Sequence, residues 1–312
     1  MRWLLAVVLV VGLTLTALAC AEGEEAATAT PSPPFTPAAS PQATPTPRDT
    51  PAATVAGTPT AEATPTAEAT PARQESPTPP TATPTETPQL EGQVELLGWM
   101  PHEGRAWTEG LLVSEGVLWE STGLVGKSQV RGLDRETGAV LWSVPNTEGS
   151  FGEGLVRAFG RTYLLTYREG KAYLFERDGE QPYTLFATYE GEGWGLTATE
   201  EHLVNSNGSA TLYYRDPETF EIAKEVPIQY RGQPVQRLNE LEFDGTYIWA
   251  NQWQTPYVYR ILERDPSNVV RYTLPAEVCP GGAPNGIAWD QEQDIFFVTG
   301  QRCEKIWKAR FQ

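Results

Sequence analysis

From residue 94 to the C-terminus the chain is a succession of short apolar runs cut by polar turns, and the runs recur. A small-residue-then-aliphatic motif opens five of them: Glu109-Gly110-Leu111, Glu153-Gly154-Leu155, Trp194-Gly195-Leu196, Asn239-Glu240-Leu241 and Asn285-Gly286-Ile287. Successive motifs lie 44, 41, 45 and 46 residues apart. A turn and a second β-rich run follow each one: Val117-Leu118-Trp119, Tyr163-Leu164-Leu165, His202-Leu203-Val204, Tyr247-Ile248-Trp249 and Ile295-Phe296-Phe297-Val298. Third runs such as Tyr173-Leu174-Phe175 and Leu212-Tyr213-Tyr214 come next, several ending in turns like Asp134-Arg135-Glu136-Thr137-Gly138. Strands this short, recurring with a period near 45 residues, predict an all-β fold, a five-bladed β-propeller with one four-stranded blade per repeat. A β-sandwich could use the same strands but requires no five-fold recurrence. The fifth repeat reaches Gln312 after only three strands. Val94-Glu95-Leu96-Leu97-Gly98-Trp99 is therefore expected to add the outer strand of the last blade and close the ring.

Repeat position converts into geometry. The innermost strand of each blade begins at the aligned motif, and the antiparallel second strand ends beside that beginning, so both face one rim of the central channel. Strand starts bring Glu109, Glu153, Trp194, Asn239, Glu240 and Asn285 to that rim. Second-strand ends bring Glu120, Ser121, Thr122, Tyr167, Asn205, Asn207, Asn251, Trp253, Gln254, Thr299 and Gln301. Carboxylates, carboxamides and indoles converging on one funnel are the ingredients of a small-ligand pocket.

The first 93 residues are of another kind. Arg2 followed by the apolar run Leu4 to Leu15 has signal-peptide length and is too short to span a bilayer as a helix. Leu18-Ala19-Cys20 resembles the lipobox of bacterial lipoproteins, so residues 1–20 are read as an export signal ending at a lipidated Cys20. The alternatives are an uncleaved span or a plain signal with an incidental cysteine. Residues 21–93 hold 16 of the 27 prolines in near repeats of Thr, Pro, Ala and Glu, with Phe35 as their sole aromatic residue; they cannot bury a core and are expected to be a disordered tether. The expectation is an exported bacterial cell-envelope lipoprotein that faces outside the cytoplasm. Its membrane partner is reached through Cys20.

Charge and composition then exclude several classes. Residues 94–312 carry 31 acidic against 20 basic side chains, which repels phosphate backbones and argues against nucleic acid as a partner. Two His and three scattered Cys form no zinc-type cluster, so no metal site is expected. The 219 residues of this region, with nine of the ten Trp, suit one large core, and a monomer is expected. Cys279 precedes the last inner strand and Cys303 follows the strand that pairs with it, which brings both toward one rim. In an exported compartment they are expected to form a disulfide worth about 3 kcal/mol, two free thiols being the alternative.

At the rim residues the sequence also resembles a known family. Trp107-Thr108-Glu109-Gly110-Leu111, Glu120-Ser121-Thr122-Gly123, Phe151-Gly152-Glu153-Gly154-Leu155, Gly193-Trp194-Gly195-Leu196-Thr197, Leu238-Asn239-Glu240-Leu241-Glu242, Asn251-Gln252-Trp253-Gln254-Thr255 and Asn285-Gly286-Ile287-Ala288-Trp289 look like the successive motifs of the plant and bacterial glutaminyl cyclases. The resemblance implies a five-bladed propeller that converts the N-terminal Gln of peptides and proteins to pyroglutamate with release of ammonia, using no catalytic metal and no cofactor. It implies Glu153 as the proton carrier. The chemistry of the other rim groups suggests Glu109 as the anchor of the substrate ammonium, Asn239 as a hydrogen-bonding partner of the substrate amide, and Trp194 and Trp253 as walls. Glu240 and Gln301 complete the expected substrate-binding set. One departure is visible: after Phe297-Val298-Thr299-Gly300 the family commonly has Lys, where this chain has Gln301-Arg302. His102, in Met100-Pro101-His102-Glu103, is read as structural. The reading of a different class is a non-catalytic envelope propeller that binds peptides or scaffolds protein partners with the same residues.

Overall fold

The computed structural model describes residues 90–103, 106–146 and 149–312. The export segment, Cys20 and nearly all of the tether lie outside the described residues. The described residues form five antiparallel blades of four strands arranged in chain order, a five-bladed propeller, with a short hairpin of Gln229–Tyr230 and Gln233–Pro234 between blades 3 and 4. Blade 1 comprises Thr108–Ser114, Val117–Thr122, Gln129–Asp134 and Val140–Pro145, and blade 2 comprises Gly152–Ala158, Arg161–Thr166, Lys171–Phe175 and Tyr183–Thr188. Blade 3 runs through Leu196–Ala198, Leu203–Asn205, Thr211–Arg215 and Ile222–Pro227, and blade 4 through Leu238–Phe243, Tyr247–Gln252, Tyr257–Leu262 and Val269–Thr273. Blade 5 takes Ala283–Asp290, Ile295–Gln301 and Lys305–Phe311 from the C-terminus and Val94–Pro101 as its outer strand.

The ring closes as the sequence suggests: Val94 pairs antiparallel with Phe311 and Trp99 with Trp307, with a bulge between Leu96 and Gly98. The folded region begins earlier than residue 94, however. Glu91–Gly92 adds a fifth, parallel strand to blade 4, where Glu91 lies opposite Arg271 and accepts a 2.7 Å hydrogen bond from its guanidinium. A glycine between Glu91 and Gln93 carries no β signal of its own, which is why the sequence does not show this strand. The N-terminal segment thus binds blades 4 and 5 together.

The apolar residues form five clusters, one at each interface between blades. Leu112, Trp119 and Val130 of blade 1 meet Leu155, Leu164 and Phe175 of blade 2, and Tyr163 and Leu165 meet Leu196, Leu203 and Phe220 of blade 3. Consecutive residues therefore serve opposite interfaces: Ile248 packs toward blade 3, whereas Trp249 packs toward blade 5. A strand buried on both faces reads as a near-continuous apolar run. Polar turns end the strands by capping themselves: Asp134, Asp216, Asp244 and Asp290 each accept two backbone N–H bonds from residues two and three further on.

Candidate active site

Every innermost strand is bulged at its motif, and the bulge aims the functional side chain. In blade 2, Gly152 pairs with Thr166 and Leu155 with Leu164, so Glu153 and Gly154 together oppose Leu165 alone. The same irregularity falls at Glu109, at Asn239-Glu240 and at Asn285-Gly286. In blade 3, Trp194 donates its N–H to the Ser206 carbonyl and Gly195 accepts from the Ser206 N–H. An extra residue turns its side chain out of the pleat, here toward the channel mouth. The glycine after it is sterically required: a Cβ on Gly154 would lie 2.3 Å from the backbone nitrogen of Leu196, and one on Gly195 would lie 2.0 Å from the carbonyl oxygen of Asn239. Adjacent blades touch backbone to backbone at these points.

The aimed side chains enclose a cavity of about 210 Å³ lined by Trp107, Glu109, Phe151, Glu153, Tyr167, Trp194, Asn239, Trp253 and Gln301. Six of the seven residues expected to carry out catalysis or substrate binding meet there. Glu153 is 5% exposed, and its Oε2 has no hydrogen-bond partner among the described residues. Burial pushes its carboxyl well above the usual carboxylate range, and the charges of Glu109, Glu192 and Glu169 add to the rise. Asn239, 3% exposed, likewise leaves its Oδ1 without a partner among the described residues. Buried polar atoms are nearly always paired, so two acceptor atoms without a partner among the described residues, both on side chains that line one small cavity, mark the place where a ligand's donors belong.

Glu109 is held instead. Asn285 Nδ2 donates to it at 2.6 Å, Gln301 Nε2 donates to both oxygens at 2.9 and 3.1 Å, and the Trp107 indole adds a further bond. Burial nevertheless raises its pKa well above normal, the three donors only partly opposing the shift. The indoles of Trp194 and Trp253 meet edge to face at 5.5 Å. Trp253 Nε1 donates to Gln301 Oε1 at 3.3 Å, and Trp194 Nε1 donates to Glu192 at 3.0 Å. Trp194 also rests on Gly208 (φ +80°), where a Cβ would stand 2.6 Å from the ring; Asn207-Gly208-Ser209 is thus a rim loop that supports the wall.

Glu240 is a correction to the expected set, since it does not reach the cavity. It occupies the motif position that is glycine in the other four repeats, one residue beyond the bulge-directed side chain, and so points at the propeller axis. There it is 1% exposed and accepts the N–H of Leu111 at 3.2 Å and that of Ile287 at 2.8 Å, joining blades 1, 4 and 5. Glu120 also turns away, into a buried cluster with His102, Thr108 and Arg131, which accounts for the structural reading of His102. Tyr167, expected at the rim, lines the cavity without an assigned role, and so do Trp107 and Phe151. Each of the latter two stands two residues before the aligned Glu of its repeat, so the period of two along a strand carried the signal.

Disulfide Cys279–Cys303, with Cα atoms 4.8 Å apart, forms next to the cavity as expected. Among the described residues no group of three or more His, Cys, Asp or Glu is placed to hold a metal ion. The sequence profile of the glutamine cyclotransferase family matches residues 66–311. The chain belongs to that family. It is 33% identical to the glutaminyl-peptide cyclotransferase of Arabidopsis thaliana over 232 residues, 70% of this chain and 72% of that protein. Among solved structures it matches the glutaminyl cyclase of Myxococcus xanthus with a TM-score of 0.64 at 30% identity, covering 72% of this chain and 98% of that one. Against the glutamine cyclotransferase pattern, Gln301 now has a physical meaning. A neutral carboxamide fixes Glu109 as a lysine could, by donating to both oxygens, yet leaves its negative charge uncompensated when it ionises.

Proposed function

We propose that this glutamine cyclotransferase converts the N-terminal Gln of peptides to pyroglutamate, with Glu153 as the sole proton carrier and no metal. The observation that carries the reading is that Glu153 Oε2 and Asn239 Oδ1, unpartnered among the described residues, belong to side chains that line a cavity of about 210 Å³, room for one amino-acid residue. The substrate ammonium brings the donors both atoms lack. Its positive charge beside Glu109 and Glu153 draws their raised pKa values back down, and Glu153 then takes a proton from it. The freed amine attacks the γ-carboxamide carbon, forming the ring C–N bond. As the bond to the amide nitrogen breaks, Glu153 returns its proton to that nitrogen, which departs as ammonia. The ring nitrogen still holds one proton in excess; the regenerated Glu153 carboxylate takes it and passes it to solvent, where it protonates the released ammonia. Asn239 Oδ1 accepts from the substrate and fixes the angle of approach, while Trp107, Trp194 and Trp253 exclude water and keep the side chain folded toward its own amine.

The test is to incubate the protein with a Gln-initiated dipeptide. Ammonia should accumulate as the peptide loses one ammonia mass, with no effect of a chelator. Absence of both products in the wild type would favour a binding role for the cavity.

The pH profile of kcat/KM should rise through the elevated pKa of Glu153, because the base must be unprotonated to accept a proton. Glu109→Gln removes a charge that lifts Glu153. Its acid limb should therefore move to lower pH, and a limb that stays in place or moves up would contradict the coupling. We further propose that the domain is held at the cell envelope by lipid on Cys20. Incorporation of a labelled fatty acid should be lost in Cys20→Ser; labelling that persists in this variant would refute the anchor.

A further inference from the structure

The cavity that receives the Gln residue is small against the roughly 300–1,000 Å³ of ordinary ligand sites, so the remainder of a peptide must leave it. A second cavity of about 490 Å³ lies against it and shares Trp107, Trp253 and Gln301 as a common wall. Its lining mixes Pro256, Pro275 and Ala276 with the polar Gln254 and Thr255, and Arg302 borders it. Arg302 is exposed and forms no ion pair among the described residues, in a domain where acidic side chains outnumber basic ones by 31 to 20. Its guanidinium carbon lies 5.6 Å from the centre of the Trp107 ring, the same indole that walls the first cavity. One extended residue spans about 3.5 Å, so a side chain one position beyond Gln reaches this edge.

The backbone is arranged to hold that edge. Arg302 sits at φ +63° and Gln254, in the equivalent place after the second strand of blade 4, at φ +59°. Left-handed backbone is disfavoured for residues of this kind and persists where surrounding contacts enforce it. At Arg302 the enforcing contacts are its N–H bond to the Ala106 carbonyl at 2.8 Å and the adjoining disulfide at Cys303. Charge, position and rigidity thus coincide at one side chain.

Building on the cyclase reading, we propose that this groove binds the peptide beyond its N-terminal Gln, and that Arg302 selects a carboxylate side chain at the second residue. The preferred substrates are peptides beginning Gln-Glu or Gln-Asp.

The experiment uses the full chain and C-terminally amidated peptides, Gln-Glu-Ala against Gln-Lys-Ala, with glutamine amide as a substrate that lacks a second residue. An exposed ion pair supports about a fivefold preference in kcat/KM for the Glu peptide. That ratio should fall to about one in Arg302→Ala and invert in Arg302→Glu. The same ratio in all three proteins would overturn the proposal. Turnover of glutamine amide by the wild type separates the two readings, since it depends on the first cavity alone. If the wild type cyclises nothing, calorimetric binding of the same two peptides decides the groove: an Arg302-dependent preference for the Glu peptide sustains it, and equal binding overturns it.

Discussion

Glu153→Gln should lower turnover of a Gln-initiated peptide by about a hundred- to ten-thousand-fold, the usual contribution of a positioned general acid and base, without lowering thermal stability. The activity loss follows because a carboxamide cannot carry a proton between the amine and the leaving nitrogen. The stability expectation follows from the same environment. Burial raises the Glu153 pKa, so at pH values above the unfolded-state carboxylate value the folded state must take up a proton or, above the raised value, hold an unfavourable buried charge, and folding is penalised. A neutral isostere removes that penalty. The melting temperature of the variant should equal or exceed that of the wild type near neutral pH, and ammonia release read beside it completes the measurement. Retained turnover would remove Glu153 from its role. A large fall in melting temperature would show that the carboxylate is structural.

The second large effect lies away from the cavity, at the seam where the ring closes. Glu120 is fully buried and accepts Arg131 Nε at 2.6 Å through one oxygen, and Thr108 Oγ1 at 2.6 Å with His102 Nε2 at 3.0 Å through the other. The other nitrogen of the imidazole, Nδ1, bonds the Cys303 carbonyl at 2.8 Å. The N-terminal segment, blade 1 and the last hairpin therefore meet on one carboxylate. Glu120→Gln leaves the buried Arg131 guanidinium with only the largely exposed Glu103 as a counter-charge and the buried His102 with none, and breaking a buried pair of this kind typically costs about 3–5 kcal/mol. In a domain of this size that is a fall of about 10 °C in melting temperature. Urea unfolding should give the same order of loss, and a variant within about 1 kcal/mol of wild type would refute the assignment.

The cluster also sets a pH window. Burial favours neutral Glu120, but His102 and Arg131 outweigh it and hold its pKa at about 2. A carboxylate depressed in this way stabilises the fold above its unfolded-state pKa, and the contribution is lost as pH falls toward 2. Burial pushes His102 down, yet Glu120 more than offsets it and its pKa is raised. Its stabilisation is full below the unfolded-state value and fades as pH climbs through the raised one. The seam is strongest in mildly acidic solution.

The sequence by itself determined the repeat, and with it most of the site. A near-constant spacing of five motifs is a one-dimensional property, and a propeller turns equal spacing into equal rotation about one axis. Glu109, Glu153, Trp194, Asn239, Trp253 and Gln301 could therefore be placed on one rim before any coordinate was known. The strand bulges that turn these side chains outward left a trace too, in the Gly that follows four of the five motif openings. Tertiary structure alone decided what each side chain meets. Glu240 looked like another rim acid, but the place of glycine in its repeat faces the axis, where backbone amides from two other blades claim both its oxygens. Gln301 reads in the sequence as the loss of a cation, whereas in the fold its amide bridges both oxygens of Glu109 across the closing seam. That Glu153 Oε2 and Asn239 Oδ1 lack a partner among the described residues depends on which donors the neighbouring blades bring near them. A repeat encodes direction locally, because each strand obeys its own pleat. Partnership is a property of distances between blades, and those are fixed only when the ring closes.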